Sequence, residues 1–105
     1  MENLHQEKWR EKISNDEDAV IIDARTPQEW QTGIIKEAVL IDFLQPATFM
    51  DEINKLDKSK NYYIYCRSGN RSGQACQIFD SLGFNEAYNL IGGMLEWDEE
   101  TVSPN

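Results

Sequence analysis

Short apolar runs recur along the chain and alternate with segments in which apolar residues have helical spacing. Residues 19–22 and 38–41 are continuous apolar runs of strand length, a pattern typical of strands that are buried on both faces. Residues 62–65 are rich in β-forming side chains, and a last strand is predicted around residues 87–90. The pattern therefore predicts four strands, each followed by a helical segment.

The clearest helix signal comes directly after the first apolar run. Thr26 is a capping residue, a proline takes the first helical position, and Glu29 follows at the third, which together predict a helix start. This helix is short and ends at Gly33. The other helical segments are predicted at residues 3–13, 46–56 and 75–82, with a closing turn at residues 94–97.

The repeated strand and helix units predict the architecture. Such an alternation gives an α/β fold of three layers, in which a mainly parallel sheet of four or five strands carries helices on both faces. Neither an internal repeat nor a linker interrupts the sequence, so a single domain is expected over residues 1–105. Its core would cover about residues 4–98, and residues 101–105 are expected to form a frayed tail.

The chain is acidic, and this narrows the classes of partner. Nineteen acidic residues against ten lysines and arginines give a formal net charge of −9. Nucleic acids and anionic membranes require a cationic surface, so neither is an expected partner. An anionic substrate would have to be bound by a local group of cations. The first residues lack the basic and apolar segments of a secretion signal, which predicts a cytoplasmic protein with reduced cysteines.

One polar loop joins a predicted strand to a predicted helix and contains a cysteine. Residues 66–72 read Cys-Arg-Ser-Gly-Asn-Arg-Ser. Backbone N–H groups at the start of a helix can converge on one point, where they favour an anion. At that point the Cys66 thiol would have a lowered pKa, with help from the guanidinium groups of Arg67 and Arg71. The sequence therefore predicts a reactive thiolate, whereas the usual fate of a free cysteine is core packing.

The loop and its flanking segments resemble the rhodanese family. Residues 65–72 are similar to the active-site loop of that family, and the likeness extends over about residues 4–97. Other family signature positions are matched by Asp23-Ala24-Arg25, Glu29-Trp30, Gly92-Gly93 and Trp97. The chain departs from the family at residues 33–38, where the usual Gly-His-Ile-x-Gly-Ala becomes Gly-Ile-Ile-Lys-Glu-Ala. The family's short first strand is not evident ahead of Leu4.

The resemblance implies a rhodanese-like fold and a thiosulfate sulfurtransferase. A sulfane sulfur would move from thiosulfate, or a similar small anionic donor, to cyanide or a thiol, including a protein thiol. Cys66 would be the catalytic residue and would carry the sulfur as a persulfide. Neither a cofactor nor a metal is expected. The residues expected to bind the donor and its outer sulfur are Arg67, Ser68, Gly69, Asn70, Arg71 and Ser72.

Other functions share this type of loop. A protein-to-protein sulfur relay, or a persulfide-sensing module, would use Cys66 with little turnover of small molecules. Dual-specificity phosphatases and arsenate reductases related to the family place five residues between the cysteine and the arginine, whereas four lie between Cys66 and Arg71. The smaller ring suits a sulfur atom better than a tetrahedral oxyanion, so the spacing disfavours this class.

Some residues near the loop have a structural interpretation beside the functional one. Cys76 lies among apolar residues at helical spacing, which favours inert packing. Asp23, Arg25 and Glu29 could touch the substrate, but an internal ion pair that braces the site is the preferred interpretation. The two glycines at residues 92–93 would allow a close approach to the active loop, and an ordinary turn explains them equally well.

Overall fold

The structure is a computed structural model that describes residues 1–104, and it contains one five-stranded sheet. The strands are β1 (Glu2–Leu4), β2 (Ala19–Asp23), β3 (Val39–Leu40), β4 (Asn61–Tyr65) and β5 (Glu86–Leu90). The helices are α1 (Gln6–Ser14), α2 (Pro27–Trp30), α3 (Pro46–Asn54), α4 (Asn70–Ser81) and α5 (Gly93–Glu96). The predicted α/β class is confirmed.

The strand order is β1-β5-β4-β2-β3, and every pairing in the sheet is parallel. In the centre, Asp23 at the end of β2 lies opposite Tyr65 at the end of β4. On the other side of β4, Ile64 lies opposite Asn89 of β5. The carboxyl ends of the three central strands therefore meet at one edge, where sites form in sheets of this kind.

Helices cover both faces of the sheet, as successive residues of β4 show. Tyr62 and Ile64 pack into a cluster with residues of α3 and α4, such as Phe49 and Phe79. Tyr63 and Tyr65 point the other way, into a second cluster around the fully buried Trp9 of α1. Within residues 1–104, no helix is long and apolar enough to cross a membrane.

The two edge strands differ from the sequence expectations. Residues 2–4 form β1 beside β5, so the helix predicted from residue 3 begins only at Gln6. The apolar run at residues 38–41 gives a strand of only two residues, and Val39 is 41% exposed. The prediction that this run forms a buried strand is wrong at Val39, which lies in a short strand at the edge of the sheet, whereas Ile41 is buried.

The C-terminal segment is attached to the body of the protein. Val102 and Ile34 form an antiparallel bridge, with N–O distances of 2.9 Å and 2.8 Å between their backbones. The expectation of a frayed tail is therefore wrong at Val102, because a backbone pairing holds it. Asn105 lies outside the described residues.

Candidate active site

Cys66 directly follows β4, and hydrogen-bond donors from the start of α4 surround its sulfur. The Gly69 N–H group lies 3.1 Å from Sγ and the Ser72 N–H group lies 3.4 Å from it. The Ser72 hydroxyl oxygen is 3.3 Å from the same atom. Cys66 itself has no exposed surface. The structure thus brings the loop's N–H groups to the predicted cysteine in a site shielded from water.

The two cysteines of the chain differ in their ionisation. Burial of Cys66 opposes the charged form, but hydrogen bonds from Ser72 and from backbone N–H groups of the loop outweigh it, so the pKa of the thiol is lowered. These N–H groups belong to Ser72, Gly69 and Ser68. Burial instead raises the pKa of Cys76 to about 12, and this residue packs in the core beside Phe79. Only Cys66 has the environment of a nucleophile.

Arg71 is turned toward Glu29 in α2 and not toward a free anion site. Its Nη1 and Nη2 atoms lie 2.8 Å and 2.9 Å from the two carboxylate oxygens of Glu29. The same carboxylate accepts hydrogen bonds from the N–H and hydroxyl groups of Thr26, which completes the predicted capping box. The hydrogen bond from Arg71 is the main reason why the pKa of Glu29 falls to about 2. The pair ties α2 to α4.

Arg67 is exposed and borders a cavity of 210 Å³ at the carboxyl edge of the sheet. Within residues 1–104 it forms no salt bridge, so its guanidinium can attract an anion from solution. Asn70 is also exposed, and its side-chain oxygen accepts a hydrogen bond from Gln74, away from the sulfur. The cavity is lined by Arg25, Glu29, Thr32, Arg67, Met94 and Leu95.

Asp23 and Arg25 form a buried ion pair beneath the site. The guanidinium Nη2 lies 2.7 Å from Asp23 Oδ2 and also donates to the Gly33 carbonyl at 2.7 Å. The Tyr65 hydroxyl donates to Asp23 Oδ2 at 2.7 Å and accepts the Ile35 N–H at 3.0 Å. The Asp23 carboxylate, the Tyr65 hydroxyl and the Nε and Nη2 atoms of Arg25 all have partners, as a buried charge requires. The bracing role preferred for Asp23 and Arg25 is the one seen.

The two glycines at residues 92–93 let α5 approach the active loop. The Met94 N–H donates to the Cys66 carbonyl and the Leu95 N–H donates to the Arg67 carbonyl, both at 3.0 Å. Gly93 has a φ of +50°, and a Cβ atom on it would press against the carbonyl oxygens of Cys66 and Arg67. Close backbone approach is therefore a reason for glycine here in addition to the positive φ.

Asn89 belongs to the site, although no sequence motif marks it. Its Oδ1 atom lies 2.5 Å from the Ser72 hydroxyl oxygen. Its Nδ2 atom donates to the Gly69 carbonyl at 3.0 Å and to Asn3 Oδ1 at 2.9 Å. Asn89 is only 5% exposed, between two buried neighbours in β5. A polar residue at a buried position of an apolar strand was the available signal.

A sequence profile of the rhodanese-like domain matches residues 6–100 of the chain. The chain belongs to the rhodanese-like family. Its resemblance to rhodaneses, inferred from the loop, is thereby confirmed, and the rhodanese-like fold is confirmed by a crystal structure. That structure is a rhodanese-like domain protein from Staphylococcus aureus, which is 30% identical with a TM-score of 0.85 over the full length of both chains.

Two curated relatives contain regions similar to this chain. A putative sulfurtransferase of Bacillus subtilis, YtwF, is 38% identical over 96 residues, covering 91% of this chain and 89% of that protein. A tRNA uridine(34) hydroxylase of Pelagibacter ubique is 33% identical over 95 residues. That match covers 90% of this chain but only 31% of the hydroxylase, so most of the hydroxylase has no counterpart here.

Proposed function

We propose that this protein is a sulfurtransferase in which Cys66 carries a sulfane sulfur as a persulfide. The observation that supports it is the convergence of the Gly69 and Ser72 N–H groups on Cys66 Sγ, at 3.1 Å and 3.4 Å. Such donors favour a thiolate at neutral pH, and a thiolate is the form that attacks sulfur. The similarity to a putative sulfurtransferase over most of both chains points the same way.

The proposed reaction has two displacement steps. The Cys66 thiolate attacks the outer sulfur of thiosulfate or a similar small anionic donor; a new S–S bond forms, and the donor's S–S bond breaks. Sulfite leaves with the electron pair of the broken bond. A thiolate or cyanide then attacks the outer sulfur, and the electron pair of the Cys66 S–S bond returns to Cys66. Electrons balance without an added oxidant, so no cofactor enters the proposal.

Arg67 is proposed to attract the donor, and Arg71 to hold the loop in shape. The net charge of −9 repels anions, so a local cation is needed, and the exposed Arg67 guanidinium lies at the cavity. Arg71 already has both terminal nitrogens on Glu29, so it can take part in donor binding only by giving up that pair. Ser68, Gly69, Asn70 and Ser72 would contribute backbone N–H groups around the transferred sulfur.

A sulfur relay to a protein thiol is the second candidate. Leu95 is 61% exposed and lies on the rim of the cavity together with Arg67. Its N–H group donates to the Arg67 carbonyl, so an exposed apolar side chain adjoins the cysteine loop and is available to a protein partner. We place either reaction in the cytoplasm, where a persulfide-forming thiol stays reduced.

Intact-mass spectrometry tests the proposal directly. After incubation with thiosulfate and removal of the excess, the protein should gain one sulfur atom, and cyanide should remove it. Cys66→Ser should gain none, whereas Cys76→Ala, which changes a buried thiol in the core, should behave as the parent protein. Absence of the adduct at every donor concentration, or an adduct that persists in folded Cys66→Ser, would contradict the proposal.

Steady-state kinetics separates the enzyme from the relay. Thiosulfate turnover with cyanide and with a small thiol should be measured side by side. Turnover in the usual enzymatic range, above about 1 s⁻¹, supports the small-molecule enzyme. Much slower turnover with normal persulfide formation supports the relay, because the first step then works while the acceptor is the wrong one.

A further inference from the structure

The Ser72 hydroxyl lies between two groups that can both accept its proton. Asn89 Oδ1 is 2.5 Å from Ser72 Oγ, and Cys66 Sγ is 3.3 Å from it. A serine hydroxyl has one proton and can donate to one acceptor at a time. The direction of this proton therefore decides whether Ser72 stabilises a charged Cys66 sulfur.

The amide orientation of Asn89 settles that direction. One terminal atom of the amide lies 3.0 Å from the Gly69 carbonyl oxygen, which can only accept, so this atom is the nitrogen. Its second proton is directed to Asn3 Oδ1 at 2.9 Å. The other terminal atom is thus an oxygen without a proton, and it faces Ser72. A contact of 2.5 Å between two oxygens requires the proton of Ser72 between them.

We propose that Asn89 is a positioning residue that accepts the Ser72 proton and so withholds it from the Cys66 sulfur. Ser72 then turns a lone pair toward Cys66, which suits the neutral thiol because the S–H group can donate to it. The thiolate relies on the backbone N–H groups of the loop. Without Asn89 Oδ1 the hydroxyl is free to donate to the thiolate. The inference rests on the proposed function only in taking Cys66 as the nucleophile.

The charged surroundings of Cys66 stay the same in the variants that test this idea. Arg71 and Cys76, both on α4, interact electrostatically with Cys66, and Arg71 is held by Glu29. Arg67 is in the loop itself. Alkylation of Cys66 by iodoacetamide should be followed against pH in a Cys76→Ala background, without any sulfur donor. The midpoint then reports the ionisation of one thiol.

A double-mutant cycle with Asn89→Leu and Ser72→Ala tests the proposal. With Ser72 present, Asn89→Leu should raise the ionisation constant of Cys66 by about three- to tenfold, the size of one hydrogen bond. In the Ser72→Ala background the same substitution should not produce that increase. Ser72→Ala alone should change the constant by less than about twofold, because its proton is directed elsewhere. Asn3→Ala is the matched control and should leave the midpoint unchanged, since the Gly69 carbonyl still orients Asn89.

Two results would overturn the proposal. One is an effect of Asn89→Leu that is equal with and without the Ser72 hydroxyl, which would indicate a general loosening of the loop. The other is a decrease of threefold to tenfold, or more, in the ionisation constant of Cys66 when only Ser72→Ala is introduced. This decrease would show that the Ser72 proton already points to the sulfur. The second result comes from Ser72→Ala alone, so it can be obtained even if the Asn89 variant does not fold. The alkylation experiment uses no sulfur donor, so its result does not depend on whether the protein transfers sulfur. A failure of the proposed sulfur transfer would be detected in the mass and kinetic experiments described above.

Discussion

Glu29 and Arg71 face each other with two parallel hydrogen bonds of 2.8 Å and 2.9 Å, although they are 42 residues apart in sequence. The pair is partly buried, with 24% and 20% of the side chains exposed. It joins the capped start of α2 to the helix that follows the cysteine loop. Two-pronged pairs of this kind are the strong ones, because geometry and charge both contribute.

Replacing Glu29 should therefore change the response to acid. The pKa of Glu29 is about 2 in the folded protein against an ordinary 4.5, so its stabilisation is present above about pH 4.5 and is lost as the pH falls toward 2. Glu29→Gln should lower the free energy of unfolding at neutral pH by about 1–2 kcal/mol, after allowance for solvent screening. It should also lower the slope of stability against pH between these values. Urea unfolding across this range, with the exposed Glu17→Gln as control, checks both expectations. Identical slopes in all three proteins would contradict them.

Substitution at Gly93 should damage the site more than the fold. A Cβ atom there would come within 2.6 Å of the Arg67 carbonyl oxygen, so Gly93→Ala should displace the loop and abolish most persulfide formation. Gly83→Ala is the matched control, because Gly83 also has a positive φ, of +83°, but its Cβ would meet no atom within 4 Å. The control should cost about 1–2 kcal/mol of stability and leave the adduct intact. Equal adduct formation in both variants would show that close approach is not the reason for Gly93.

The two thiols should react with alkylating reagents at different pH. Cys66 should be alkylated with a midpoint below the free-cysteine value of about 8.5, while Cys76 should resist the reagent until the protein unfolds. Arg71→Ala should move the Cys66 midpoint upward, because it removes a cation and leaves Glu29 unpaired. The double variant Glu29→Gln/Arg71→Ala should move it less. A midpoint near the free value in the parent protein would mean that the loop does not stabilise the thiolate.

The length of the loop should restrict its chemistry. Four residues separate Cys66 from Arg71, and the N–H groups of Gly69, within that span, and of Ser72, beyond it, reach the sulfur. One glycine inserted after Gly69 should weaken persulfide formation at least tenfold, because the two N–H groups can no longer converge. The parent protein should not hydrolyse an aryl phosphate. Hydrolysis at ordinary enzymatic rates would show that the spacing argument is wrong.

Elements with a local signal could be predicted from the sequence, and those held by distant partners could not. Thr26 and Glu29 lie within one segment of four residues and predict the start of α2, and the capping box forms as expected. In contrast, β1 has one buried side chain, Leu4, and it exists because it pairs with β5 more than eighty residues away. The exposure of Val39 likewise depends on β3 being at the sheet edge, which strand order determines.

The site shows the same division. The strand, the cysteine loop and the helix start could be read from residues 65–72, because turn and helix-start chemistry is local. The partner of Arg71 could not be read from the sequence, because the direction of a long side chain depends on the residues that the fold places beside it. The contact of Asn89 with Ser72 joins a strand to a helix across 17 residues, and only the polar residue in an apolar strand hinted at it.

The backbone bonds from Met94 and Leu95 to the cysteine loop have a consequence for protein synthesis. The chain is synthesised from its N-terminus, so Cys66 is made before Met94 and Leu95, whose N–H groups close its loop. Before the fold is complete, the Cys66 thiol has neither its hydrogen-bond donors nor its burial. It then behaves as an ordinary, mostly protonated cysteine. The lowered pKa of Cys66 therefore depends on the completed fold and not on the loop sequence alone.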